Sequence, residues 1–423
     1  MDKIEKKLLS ERFGIIDPLS IDAYIEHEGY DALKKTVKMT QSEIIDQVKI
    51  SGLRGRGGAA FPVALKLDAV RKEQGTEKYI ICNADEGEPG NFKDRYLMEN
   101  DPHQIIEGMI ISAYAIGTCK GYIFIRGEYK RAIYVMNSAI KAAEQKGYLG
   151  ENILGSGLNF SIEVYSGGGS YVSGEEFALM ASLEGDAARS TFKPPFPTTE
   201  GLYKKPTQIN NVESFANIPH IVLDGGEAFA KIGTESSKGT KLISLCGNVC
   251  NKGVYEVPFG VSFRDIIEKL GGGVPNGRSI KMVQLGGASG PCISPDMLDL
   301  KLDYKEIANI GLSFGSGAII VMDDRIDVLD IVRNTLEFFH HESCGKCTPC
   351  REGTVHLLIL LDRFILCTAT EEDMKRLKAL IETMKQTSIC GLGQAASTSL
   401  ETTMKYFHEE YTSRMKPCHA HSV

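Results

Sequence analysis

Apolar residues in the first 50 positions recur at helical spacing, with Ile21, Tyr24 and Ile25 in one stretch and Leu33, Val37 and Met39 in another. Thr40-Gln-Ser-Glu43 has the form of a capping box and predicts a helix that starts after Thr40 and runs through Val48. From 51 to 237 the pattern alternates. Tyr79–Cys82, Gly121–Arg126 and Phe160–Tyr165 are short β-branched or aromatic runs that predict strands, and 101–116 and 128–146 predict helices between them. Such alternation argues for an α/β layer. The proline-rich stretch 192–206 reads as a structured loop. Residues 238–325 carry further short runs, Leu242–Cys246, Gly253–Pro258 and Lys281–Leu285, with a helix near 262–270; this is a small β-rich unit. Residues 326–423 turn helical again, with cysteines at the corners.

At about 150 residues per domain, 423 residues predict roughly three domains, preceded here by the helical segment 1–50. Lys and Arg number 48 against 55 Asp and Glu, a net charge of −7, which argues against a nucleic-acid binder. The first residues are charged and lack the apolar core of a signal peptide, and no apolar run reaches the ~20 residues a spanning helix needs. A cytoplasmic protein outside the membrane is expected. The 11 cysteines are odd in number and the chain is long, so clustered cysteines read as metal or redox ligands before disulfides.

Cys344-Gly-Lys-Cys347-Thr-Pro-Cys350, with Cys390 following 40 positions after the last of them, is the sharpest local signal. Two-residue gaps let thiolates converge on one inorganic centre; the triple run favours iron–sulfur over tetrahedral zinc, which usually takes paired cysteines. Cys418-His419-Ala-His421 looks like a metal-binding tail that would suit zinc, or else a frayed end. Three glycine-bearing loops carry the second signal. Gly52–Pro62 holds Gly55, Arg56, Gly57 and Gly58, and its amides and arginines suit a phosphate; a surface loop is the alternative. Asn83–Arg95 is carboxylate-rich and suits ribityl or ribose hydroxyls or amide hydrogens; a solvated acidic turn is the alternative. Ser166–Glu176 also follows a predicted strand, where ligands of open α/β sheets lie.

Taken together these segments resemble the NADH-binding flavoprotein subunit of respiratory complex I and its relatives in NAD-dependent hydrogenases and formate dehydrogenases. The matching strings are Leu53–Ala59, Cys82–Glu86, Gly127–Tyr129, Ser182–Gly185, Lys193–Pro197, Asn210–Glu213, Cys344–Cys350 and Ser388–Gly393, in family order along nearly the whole chain. The resemblance implies an α/β chain with a Rossmann-like FMN/NADH domain at 51–237, a ubiquitin-like β-grasp domain at 238–325 and a C-terminal helical bundle at 326–423. It implies that Gly55–Gly58 with Lys66 hold the FMN phosphate and ribityl chain, and that Asn83, Asp85 and Glu86 bond the flavin side. Tyr171, Gly174, Glu175 and Glu176 would line flavin and nicotinamide, with Asn210 and Asn211 below FMN. Glu88, Lys193, Phe61 and Phe196 match NADH-binding positions. Cys344, Cys347, Cys350 and Cys390 match ligands of one [4Fe–4S] cluster.

The implied activity is hydride exchange between NADH and FMN, followed by single-electron transfer through the cluster. Hydride transfer needs no side-chain acid or base, so Glu176 and Glu88, the candidate catalytic residues, would act by charge and position. The implied partners are a thioredoxin-like [2Fe–2S] subunit and either an iron–sulfur catalytic subunit of a hydrogenase or formate dehydrogenase or the complex I peripheral arm. The segment Phe13–Tyr24 tilts the resemblance toward the hydrogenase and formate dehydrogenase relatives, some of which bifurcate electrons. Three departures touch the nucleotide site: Leu67-Asp68-Ala69 where relatives often carry aromatics, Asp186-Ala-Ala where they run basic, and Gly87 for a usual serine. They leave open a carrier subunit that has lost NADH turnover.

Overall fold

In the computed structural model, which describes residues 4–75 and 77–416, the strands form two five-stranded sheets. The tail with Cys418, His419 and His421 lies outside the described residues. The first sheet contains β1 (Tyr79–Ala84), β2 (Lys120–Ile125), β3 (Gly150–Ile153), β4 (Leu158–Ser166) and β5 (Thr207–Asn211). Its order is β3-β4-β2-β1-β5; the last four of these run parallel, and β3 pairs antiparallel with β4 at the edge. Ile80, Cys82 and Ala84 of β1 join the larger core on one face, whereas Tyr79 and Ile81 join a smaller one on the other. Burial on both faces is why β1 reads as an unbroken apolar run instead of an alternating one.

Helices Gln41–Ser51, Val63–Lys72, Pro102–Ile116, Lys130–Gln145 and Val212–Asp224 supply the large core, and Glu176–Leu183 covers the opposite face. The capping box at Thr40 forms as expected, and its helix runs three residues beyond Val48 before Gly52 ends it in a left-handed conformation. Pro102–Ile116 is buried nearly all round because Val212–Asp224 packs over it; a side chain at Gly108 would run into the Phe215 carbonyl. Each fully buried Ile or Phe in this layer contributes roughly 1.5–3 kcal/mol.

The second sheet contains β6 (Thr240–Gly247), β7 (Gly253–Pro258), β8 (Ile280–Leu285), β9 (Cys292–Ile293) and β10 (Ala318–Asp323), in the order β7-β6-β10-β8-β9. Only β6 and β10 are parallel. The helix expected near 262–270 is a short α turn, Phe263–Asp265, continued by a π turn to Leu270. The helices Val328–Glu342, Thr348–Ile365, Glu371–Thr387 and Thr398–Tyr406 share a separate apolar core.

Two polar seams join these parts. The amides of Leu8, Leu9 and Ser10 converge on the buried Glu256 carboxylate of β7 at 2.9–3.0 Å, fastening the N-terminal segment to the second sheet. Glu213, at the start of its helix, takes Lys93 at 3.0 Å and Lys241 of β6 at 2.5 Å, all three fully buried. Among the described residues no helix is long and apolar enough to cross a membrane.

Candidate active site

β1 continues to β2 on one side and lies against β5 on the other, so the chain leaves its carboxyl ends in diverging directions and opens a crevice there. Asn83 and Asp85 come from the end of β1, Gly174 and Glu175 from the loop after β4, and Asn210 and Asn211 from the end of β5. The glycine loop enters from a helix, not a strand. An isolated bridge between Arg54 and Pro62 closes it, and Pro62 stands at the N-cap of Val63–Lys72. Gly58 has φ +119°, which other residues rarely adopt. The loop presses so close to β5 that a Cβ on Gly57 would lie 3.0 Å from that of Asn211.

The result is a cleft of about 670 Å³ lined by Gly55, Gly57, Lys66, Asn83, Glu176, Asn210 and, on its far wall, Cys390. A pocket of about 350 Å³ continues it past Asp85, Glu86, Glu88 and Tyr171. An apolar slot of about 410 Å³ opens beside it, with Phe61, Leu65, Ala69, Lys193 and Phe196 around its rim. Leu65 and Ala69 make the wall that the sequence left without aromatics.

Charge in the crevice is arranged unequally. Both oxygens of Asp85 are buried without a partner, and burial raises its carboxyl to about 7 against the pull of Arg126. Lys66, depressed by burial, donates to the Ile209 carbonyl at 3.0 Å. Glu86 is engaged already: it accepts the Asp94 and Arg95 amides at 3.0 Å, and burial and the neighbouring Asp94 charge raise it to about 8. Asn83 donates to the Gly174 carbonyl at 2.8 Å and tethers two of the three loops. Asn211 caps its helix through the Glu213 amide and donates to Asp94. Glu175 caps Glu176–Leu183, and Lys193 pairs with both Glu176 and Glu175 at the mouth.

Glu88 accepts from Tyr171 Oη at 2.7 Å, from the Ser289 amide at 2.6 Å and from the Ser289 hydroxyl at 2.9 Å, and burial raises its carboxyl. The Arg56 side chain is not brought to the crevice. It is buried, donates to the Lys238 carbonyl at 2.7 Å and stacks over Phe259 at 4.8 Å, while its amide donates to Ser214. Phe192, Ser214, Ser289 and Gln386–Ser388 are lining residues that sequence reasoning missed. Phe192 sits in the Lys193–Pro197 motif's shadow and Gln386–Ser388 just before Cys390, so proximity to motifs was the available signal.

The four cysteines gather at one end of the helical part. Cys344 and Cys347 stand in the turn after Val328–Glu342, Cys350 in the first turn of Thr348–Ile365, and Cys390 at the N-cap of a short turn, Gly391–Ala395. Burial pushes the Cys350 and Cys390 thiols up; the other three cysteines add to this at Cys350, and the Gly393 and Leu392 amides oppose it at Cys390. Gly393 permits this approach, since a Cβ there would lie 2.9 Å from that of Cys350. Among the described residues no three His, Cys, Asp or Glu side chains stand close enough for a single metal ion. Four cysteines on adjoining turns are the donor set that a [4Fe–4S] cluster would take, one thiolate to each iron.

A strand-end crevice lined by a glycine loop and Lys66, with one of four grouped cysteines on its wall, has the form of a redox protein that sets an organic cofactor beside an iron–sulfur centre. Residues 48–220 match the Nuo51 FMN-binding domain, and residues 330–414 match the NADH-ubiquinone oxidoreductase-F iron-sulfur binding region. The chain is 45% identical over 422 residues to the NADP-reducing hydrogenase subunit HndC of Solidesulfovibrio fructosivorans, covering 99% of this chain and 86% of the relative. It is 45% identical over 410 residues to an NADH-quinone oxidoreductase subunit of Rhizobium meliloti, covering 97% of both. A solved NAD+-reducing [NiFe]-hydrogenase superposes with a TM-score of 0.84 at 31% identity, covering 98% of this chain and 68% of that one. The chain belongs to the family of NADH-binding FMN and iron–sulfur flavoproteins that serve NADH-quinone oxidoreductases and NAD(P)-reducing hydrogenases.

Proposed function

We propose that this chain exchanges hydride between NADH and FMN and hands the electrons singly, through a [4Fe–4S] cluster, to clusters of a partner in a multisubunit cytoplasmic hydrogenase or formate dehydrogenase. The observation that carries this reading is a shared wall: Cys390 lines the same cleft as the strand-end residues Asn83, Glu175 and Asn210. FMN supplies the conversion between two-electron and one-electron chemistry.

The residues fit that cofactor. Lys66 and the Gly57 and Gly58 amides offer a cation and donors to a phosphate, the Gly55 and Arg56 amides being held by the Phe61 carbonyl and Ser214. Asp85 has two buried acceptor oxygens without a donor, and a ribityl chain is rich in hydroxyl donors. Asn83, Glu86 and Asn211 fix the loops, while Asn210, Tyr171 and Gly174 line the floor. Phe61 and Phe196 flank the slot an adenine would enter, with Lys193 placed to meet a pyrophosphate. Glu176 holds Lys193 at the mouth, and Glu88 orients Tyr171 from below; both act by charge and position. Cys344, Cys347, Cys350 and Cys390 would hold the cluster.

At the level of domains, four parallel strands with helices on both faces support a Rossmann-like unit over 51–237. The order β7-β6-β10-β8-β9, with its first and last strands parallel at the centre, supports a ubiquitin-like β-grasp over 238–325. Electrons would leave to a thioredoxin-like [2Fe–2S] subunit. The likeness to quinone oxidoreductase subunits supports a second reading, a complex I peripheral arm. Anaerobic purification tests the reading: one flavin per chain and, after dithionite, a reduced [4Fe–4S] EPR signal lost in Cys347→Ser are expected, with a hydrogenase or formate dehydrogenase subunit copurifying. A colourless zinc-containing chain would contradict it.

A further inference from the structure

Residues 184–201 carry neither helix nor strand, yet they are fastened at two points. At the outer point Lys193 pairs with Glu176 and Glu175, and Phe192 and Phe196 stand 70% and 55% exposed at the crevice mouth. At the inner point Ala188 packs on the helical core, Ser190 is buried, and the Ser190 carbonyl accepts the Lys346 ammonium at 2.6 Å. Lys346 lies between Cys344 and Cys347, on the loop that carries two cluster ligands. Only two residues separate Ser190 from Lys193. One short strap thus touches the nucleotide mouth with one end and the cluster loop with the other.

We propose that Lys346 is a positioning residue that couples nucleotide occupancy of the crevice to the charge on the cluster. This rests on the FMN, NAD(H) and cluster reading above. An electron held by a cluster on these cysteines would add one unit of negative charge near the loop that carries Lys346. The ammonium is drawn toward that charge and loosens its bond to the Ser190 carbonyl. The strap then slackens, Lys193 and the two phenylalanines lose their fixed position, and oxidised nucleotide leaves as its electrons move on. The reverse holds by necessity: nucleotide that keeps the strap closed lowers the cluster's tendency to be reduced, by the same factor.

The test is the dissociation constant of ADP-ribose, a nucleotide that cannot carry hydride, measured by calorimetry on the FMN- and cluster-loaded chain. It is read once with the cluster oxidised and once after dithionite, with EPR reporting the state. The wild-type chain is expected to bind at least about fivefold more weakly when reduced, the low end of ordinary coupling, equal to about 41 mV for a one-electron centre. In Lys346→Gln the ratio is expected to fall toward one, with faster hydrogen exchange over 186–197; in Lys346→Arg, which keeps charge and donor, the ratio is expected to persist. Direct repulsion between nucleotide and cluster would survive in Lys346→Gln, so an unchanged ratio there overturns the proposal, as does a wild-type ratio of one. A chain without a cluster signal, or without ADP-ribose binding, overturns the underlying reading and takes the proposal with it.

Discussion

Asp85 directly follows a buried strand with two buried acceptor oxygens that no protein donor meets, an arrangement that costs stability and suits a ligand rich in hydroxyls. Its carboxyl is raised from 3.8 to about 7 by burial. Between those values the folded chain binds more protons than the unfolded one, so stability falls as pH rises from 4 to 7 and stays low above. Asp85→Asn is therefore expected to stabilise the cofactor-free chain at pH 8 by up to about 4 kcal/mol, to change little at pH 4, and to weaken FMN binding; urea unfolding and flavin fluorescence check the two halves. Glu176→Gln, which removes the anchor of Lys193, is expected to shift NADH affinity or flavin potential while FMN stays bound, and unchanged kinetics and potential would contradict that role. The carboxylates of 83–95 were legible as a candidate because they follow a predicted strand, and β1 does end there beside the crevice. The direction of Arg56 was not, since nothing in a glycine loop tells which way a side chain turns; it turned inward, to Phe259. Ser289 was hidden because it approaches Glu88 from a loop two hundred positions away in sequence.

Among elements, those whose signal is local were readable. The capping box at Thr40 forms, and a second one at Thr370 starts Glu371–Thr387. Thr370→Ala is expected to lower stability by about 1 kcal/mol, seen as a shift in the urea midpoint. Val212–Asp224 was hidden because Pro219 lies inside it, where a proline ordinarily ends a helix. The π turn at Ile266–Leu270 has no distinguishing pattern either. The cysteine spacing was legible, but the close approach of Gly393 to Cys350 depends on how two helix ends meet. Gly393→Ala is accordingly expected to displace that turn and lose the cluster's EPR signal while flavin content is retained; full cluster occupancy in this variant would contradict the geometry.

At the scale of the molecule, the apolar cores of the two sheets are bound together by buried charge. Lys241 reaches from the second sheet to Glu213, which Lys93 also holds from the first unit. Lys241→Met is expected to lower stability by about 3 kcal/mol, the low end for breaking a buried ion pair, because Glu213 keeps its other partner. The strand–helix alternation, the β-rich middle and the helical end were readable from pattern; these seams were not, because an acidic residue in a helix looks the same whether it meets water or a lysine from another unit. The central claim is that crevice and cysteines form one electron path. Its most direct measurement is anaerobic addition of NADH to the purified chain, followed by absorbance and freeze-quench EPR. Bleaching of the flavin band followed by a reduced [4Fe–4S] signal is the predicted result; a flavin that stays oxidised, or bleaches while the cluster never takes an electron, would contradict it.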